Sequence, residues 1–200
     1  MYKRQEAGFG SDMGAEKFMH IKAATSGKSP DCVVMNVTIR SMKLHGGAFG
    51  SRGGYRPSKE ELETENIDAV AIGAATNLDR HIRNMAGFGV PVIVSINKFA
   101  SDTDGEIKAL SDAAHASGAK AVTITEVHAK GGEGGEDLAK AVVKAVQDHV
   151  AAGRPFTPLF VDDAPVMEKV EAIATRMYKA KEVHVETSAK KQLDKIISWG

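Results

Sequence analysis

The chain has 200 residues, 42% hydrophobic and 26% charged, a mix that fits a compact globular fold with an apolar core. Lys plus Arg number 26 and Asp plus Glu number 26, so no net charge draws the chain to nucleic acid or to an anionic membrane. The single cysteine, Cys32, excludes an intrachain disulfide and fits a reducing, cytoplasmic setting, and no apolar run approaches bilayer-spanning length.

The first motif is Glu6-Ala7-Gly8-Phe9-Gly10-Ser11-Asp12, a glycine-rich loop feeding a helix predicted to begin near Asp12. It is not the dinucleotide-binding fingerprint, because the third glycine comes too late and no strand precedes it. Ser26-Gly27-Lys28-Ser29 mimics the end of a phosphate-binding P-loop, yet Lys22 stands where that motif needs its first glycine. Gly27 is therefore expected to end the helix, and Ser29-Pro30-Asp31 to turn into a strand over residues 32–39. At that strand's end, Arg40, Lys43 and His45 precede Gly46-Gly47. Ligands of open α/β sheets bind beyond the carboxyl ends of strands, so Arg40 and Lys43 could face a phosphate, beside the plainer reading of solvated charges.

Ser58 with Glu61 has the spacing of a capping box, and Ile67, Val70, Ala71, Ala74, Leu78, Ile82 and Met85 form one helical stripe. An apolar run over residues 90–96 predicts a second strand, which ends in Asn97-Lys98-Phe99-Ala100-Ser101-Asp102. Guanine-reading Asn-Lys-x-Asp is disfavoured there, because Ala100 holds the required acidic position. Thr103 with Glu106 caps a further helix, and residues 121–125 predict a third strand, followed by a glycine-rich stretch from Glu126 through His128 to Gly135. Leu138, Ala141, Val142, Ala145 and Val146 stripe another helix, and Gly153 closes the unit. After Arg154-Pro155 the rhythm changes: a helix starts near Pro165, a short strand is expected at residues 183–185, and a last helix carries Leu193, Ile196 and Ile197.

Short apolar strands alternating with amphipathic helices predict an α/β fold: a mainly parallel twisted sheet with helices on both faces, plus a C-terminal helical and strand extension. The expected division is an α/β core over residues 6–153 and a C-terminal segment over residues 154–200. Seven histidines, at positions 20, 45, 81, 115, 128, 149 and 184, lack zinc-site spacing, and no Ser-His-Asp order or basic-aromatic nucleic-acid motif appears. Three rim loops on one sheet edge point instead to a shared small-molecule site.

Glu6 through Gly10, Asp12 through Phe18, Thr38 through Gly47, Asn97-Lys98-Phe99 with Asp102-Thr103, Ala129 through Gly135 and Ala189-Lys190-Lys191-Gln192-Leu193 together resemble formate–tetrahydrofolate ligase in order and spacing. The resemblance implies a P-loop-type α/β architecture and a reaction in which ATP phosphorylates formate and the formyl phosphate is attacked by an amine of tetrahydrofolate. It assigns Phe9 to the substrate pocket, Phe99 to the face on which the folate pterin stacks, and Ile124, Ala100 and His128 to the same pocket. The family has Pro where this chain has Ala100, and Trp where it has His128. The family's ATP-cradling loop and magnesium-site groups lie upstream of the matched region, so ATP and Mg are expected for the complete enzyme and not on this chain alone. The chain is thus expected to be an internal portion of the ligase, inactive by itself and completed by a missing N-terminal half or by homo-oligomerisation. Two other readings stay open: a non-catalytic folate-binding or assembly module, and a stand-alone phosphate-binding enzyme.

Overall fold

The computed structural model describes residues 6–8, 10–49 and 57–199. Phe9, assigned above to the substrate pocket, lies outside the described residues. The chain divides into two compact units, Met1–Pro158 and Leu159–Gly200.

The first unit is built on three parallel strands in the order β1-β2-β3: Val33–Val37, Val92–Asn97 and Ala121–Thr125. Val33 pairs with Val92 and Ile93 with Ala121, so each crossover returns to the same end of the sheet. Residues paired across a parallel sheet point to one face. Met35, Val94 and Val122 share one face, and Ile93 and Thr123 the other. Val92 through Ile96 are all buried, which requires cover on both faces of β2.

That cover comes from the helices. A helical segment over residues 11–26 (α1) contains wider, π-type turns at Ser11–Ala15 and Phe18–Ala23, and ends at Gly27 with φ +65°. Ile39–His45 (α2), Lys59–Glu63 (α3) and residues 67–86 (α4, with a π-type turn at Ala74–Leu78) connect β1 to β2. Asp104–Ala116 (α5) connects β2 to β3. After β3 come the short Val127–Lys130 helix (α6), a 3-10 turn at Gly131–Gly135 and the long Glu136–Ala151 helix (α7), which packs on β3 and β2. Ile82, Met85, Leu110 and Ala114 are buried from α4 and α5, as their helical spacing predicts.

Two expectations need correction. The first strand was expected over residues 32–39, yet it stops at Val37, because Thr38 turns the chain into α2. The Thr38 hydroxyl accepts the Ser41 N–H at 3.1 Å while the Ser41 hydroxyl accepts the Thr38 N–H at 3.4 Å, a reciprocal cap that satisfies the amides of the helix start and commits the chain to α2. Arg40, Lys43 and His45 therefore sit on a helix rather than just ahead of flexible backbone. The second correction concerns residues 183–185, which form no strand. A two- or three-residue extended segment persists only where a neighbouring strand accepts its hydrogen bonds.

The second unit contains a helix at Val166–Ala172 that runs through a π-type turn at Ile173–Met177 (α8), and a final helix at Thr187–Ile197 (α9). Pro165 precedes α8 as its cap residue, and Arg176 donates to the Leu159 carbonyl at 3.2 Å. Among the described residues no helix is long and apolar enough to cross a membrane.

Candidate functional site

The carboxyl ends of β1, β2 and β3 carry the three segments singled out from the sequence. The turn after β2 is built locally: the Phe99 N–H donates to Asp102 Oδ2 at 2.8 Å and the Asp102 N–H donates back to the Phe99 carbonyl at 3.0 Å. Such a reciprocal side-chain and backbone closure is what aspartate supplies in tight turns. Thr103 then caps α5, accepting the Glu106 N–H at 3.2 Å, as the spacing predicts. Phe99, at the head of this turn, is 37% exposed, large for an aromatic ring. Ala100 beside it is also exposed.

Arg40, in the first turn of α2, reaches across to this loop. Its guanidinium carbon lies 4.1 Å from the centroid of the Phe99 ring, a close cation–π contact. Nη2 is 3.4 Å from Ser101 Oγ and 3.7 Å from Glu63 Oε1, while the shielded Nε has no hydrogen-bond partner among the described residues. Lys43, one turn further along α2, points into the protein and is 1% exposed. Its ammonium is 2.7 Å from Glu106 Oε1 and donates to the Thr64 and Leu62 carbonyls at 2.8 and 3.2 Å. Three acceptors fill the three donors of a lysine, so a phosphate at Lys43 would have to displace one of them. Glu106 is fully buried, with its carboxylate also accepting from the Asn66 and Thr103 backbones.

The rim after β3 is closed by backbone: the Glu126 N–H donates to the Gly134 carbonyl at 3.0 Å. A Cβ on Gly134 would sit 2.6 Å from the Glu126 carbonyl, so only glycine permits this approach. His128, in α6, is exposed. Ile124 of β3, paired with Ile96, is 45% exposed, an open apolar side chain directly before the rim. Arg40 of α2 thus meets Phe99 and Ala100 of the loop after β2, Ile124 and His128 follow on the adjacent strand and its exit, and Lys43 is buried in the core.

Asp102 and Glu106 were not singled out as site residues from the sequence. The Thr103–Glu106 spacing reveals a cap, but the cap explains only one carboxylate oxygen. Nothing local indicates that the other oxygen meets Lys43. Asp102 is 7% exposed, with Oδ1 shielded and lacking a hydrogen-bond partner among the described residues. Burial pushes its carboxyl upward, as does the Glu106 charge, against the Phe99 N–H, Arg40 and Lys43, which favour the ionised form.

His81 on α4 titrates below its ordinary value of 6.5, chiefly through burial, with His45 and Arg80 adding to the depression and Asp12 opposing it. His20 on α1 is lowered likewise by burial, against Glu16. A histidine depressed in the folded state binds fewer protons there than in the unfolded chain, so its stabilising contribution is full above the unfolded pKa and declines as pH falls toward the folded one. The thermal midpoint is expected to drop as pH is lowered from about 7 to 5, and His81→Gln to flatten that slope. An unchanged slope in the variant, measured by circular dichroism, would remove His81 as a contributor.

Among the described residues no three His, Cys, Asp or Glu side chains are arranged to hold a metal ion. Ser26-Gly27-Lys28-Ser29 ends a helix instead of opening one, whereas a phosphate cradle presents the amides of a helix start.

The arrangement that remains is an exposed phenyl ring, a guanidinium stacked on it, an open isoleucine and an exposed imidazole along one sheet edge. That pattern suits a flat heteroaromatic ligand more than a reacting phosphate. A comparison with protein families matches residues 2–200 to the family described as Formate--tetrahydrofolate ligase, and with nearly its whole length matched the chain belongs to that family.

Proposed function

We propose that this chain supplies the folate-facing rim of an ATP-dependent formate–tetrahydrofolate ligase, with Phe99 as the stacking surface and Ala100, Ile124 and His128 around it. The observation that carries the reading is the 37% exposure of Phe99 at the carboxyl edge of the sheet, where its turn is closed by Asp102. An aromatic ring held outward on a fixed loop serves a planar ligand, because stacking area is then available without an ordering cost. Phe9 belongs to the same proposal through the family resemblance. ATP and magnesium handling falls to other parts of the ligase, so the 200 residues alone are expected to form no 10-formyltetrahydrofolate.

Calorimetric titration with tetrahydrofolate tests the reading. Aromatic stacking on a ring-shaped ligand contributes roughly 1–3 kcal/mol, so Phe99→Ala is expected to weaken binding about tenfold. His128→Trp is expected to tighten it, since indole offers more apolar area and a broader π surface than imidazole. Unchanged affinity in both variants, with folding intact by circular dichroism, would show that the rim is not a folate surface. Adding formate and ATP to the same sample checks the activity statement, and product formation by the isolated chain would overturn it.

A further inference from the structure

We infer that Arg40 and Asp102 are positioning residues that hold Phe99 as a preformed stacking surface, with Arg40 backing one face of the ring and leaving the opposite face for the ligand. The inference rests on the folate reading above and assigns a task to two residues that the reading does not need for contact.

Consider what each group gives up. Arg40 Nε is shielded and has no hydrogen-bond partner among the described residues, and its Nη2 contacts are long at 3.4 and 3.7 Å. Asp102 keeps Oδ1 shielded and without a hydrogen-bond partner. Shielded polar atoms without partners cost stability, and native proteins seldom keep them without a reason. Thr123 Oγ1 and His149 Nε2 are shielded in the same way elsewhere, so what ties Arg40 and Asp102 to Phe99 is their geometry. Asp102 Oδ2 fixes the backbone of the ring-bearing residue at 2.8 Å, and the Arg40 guanidinium lies 4.1 Å from the ring centroid. An exposed phenyl ring otherwise swings between rotamers, and each immobilised side chain adds to the entropic cost of binding. A rotor held from behind and clamped at its backbone has met that cost before the ligand arrives. Arg40 is itself anchored, because the Thr38–Ser41 cap fixes the start of the helix that carries it. A guanidinium is suited to the task, being planar and less strongly hydrated than an ammonium.

The test is a double-mutant cycle read by calorimetric titration of the full chain with tetrahydrofolate. Arg40→Ala is expected to weaken binding about three- to tenfold in the native background and to have no effect in a Phe99→Ala background. Asp102→Ala is expected to weaken it similarly, and Asp102→Asn, which keeps an acceptor for the Phe99 N–H, to recover most of that loss. An equal loss from Arg40→Ala in both backgrounds would mean that Arg40 touches the ligand itself. Tighter binding would mean that it covers the ligand's face of the ring. Either result overturns the inference. A ligand-free readout keeps it separate from the folate reading: with ¹³C-labelled phenylalanine, the Phe99 ring signal, assigned by its disappearance in Phe99→Ala, should shift and show faster averaging in Arg40→Ala. If the native chain binds no folate, the folate reading fails while this spectrum still decides the Arg40–Phe99 coupling, and an identical signal overturns it.

Discussion

Replacing Lys43 by methionine is expected to lower the unfolding free energy by about 3–5 kcal/mol, the usual result of leaving one member of a buried ion pair alone. Lys43 is 1% exposed and Glu106 fully buried, with 2.7 Å between Nζ and Oε1. Taking the ammonium away strands the Glu106 carboxylate in a dry site, with only the Asn66 N–H at 2.8 Å and the Thr103 N–H at 3.3 Å to stabilise it. The Leu62 and Thr64 carbonyls lose their donor at the same time. Methionine nearly matches the volume of lysine, so the loss reports charge and hydrogen bonding rather than a cavity. Adding Glu106→Gln to Lys43→Met should return part of the stability, because a neutral amide carries no unpaired charge, although its single carbonyl oxygen accepts from only one of the two backbone N–H groups that the carboxylate serves. Urea denaturation of the two variants decides it: a single-variant loss under about 1 kcal/mol would mean that the pair is hydrated in solution.

The second large effect is steric. Gly46, just after α2, lies against α4 so closely that an added Cβ would be 1.8 Å from the Ala69 carbonyl oxygen. Its φ is −80°, which any residue adopts, so the need for glycine comes from the neighbouring backbone alone. Gly73 faces the converse contact, with an added Cβ 2.1 Å from the Met42 oxygen. A carbonyl held in a helix cannot rotate aside as a flexible side chain can, and α2 must move off α4. Gly46→Ala is expected to cost about 1–3 kcal/mol or more. Gly73→Ala should also destabilise, although alanine is the better helix former by about 1 kcal/mol at an open helical position. Gly132, where an added Cβ meets nothing within 4 Å, provides the control and should tolerate alanine. A thermal midpoint for Gly46→Ala equal to that of Gly132→Ala would contradict the close approach. Because α2 carries both Arg40 and Lys43, the same substitution is expected to disturb the rim.

What the sequence by itself determined was local. The caps at Ser58–Glu61 and Thr103–Glu106, the helix end at Gly27 and the strand at Ala121–Thr125 are all legible. Each is decided by hydrogen bonds or by a short apolar, β-rich run within a few residues, and those leave a pattern in the chain. The α/β class followed from the alternation of such segments, and the family from motifs in a shared order. The tertiary structure decided the rest. Whether residues 183–185 pair depends on a neighbour that only the fold can supply, and none pairs with them. Whether Lys43 faces ligand or core depended on a carboxylate that also binds Asn66, 40 residues away in sequence. Arg40 reaches Ser101 across 61 residues, and that same reach lays its guanidinium on Phe99. Contacts at such separations are set by how α2 seats against α4 and α5, and periodicity along the chain carries no record of it.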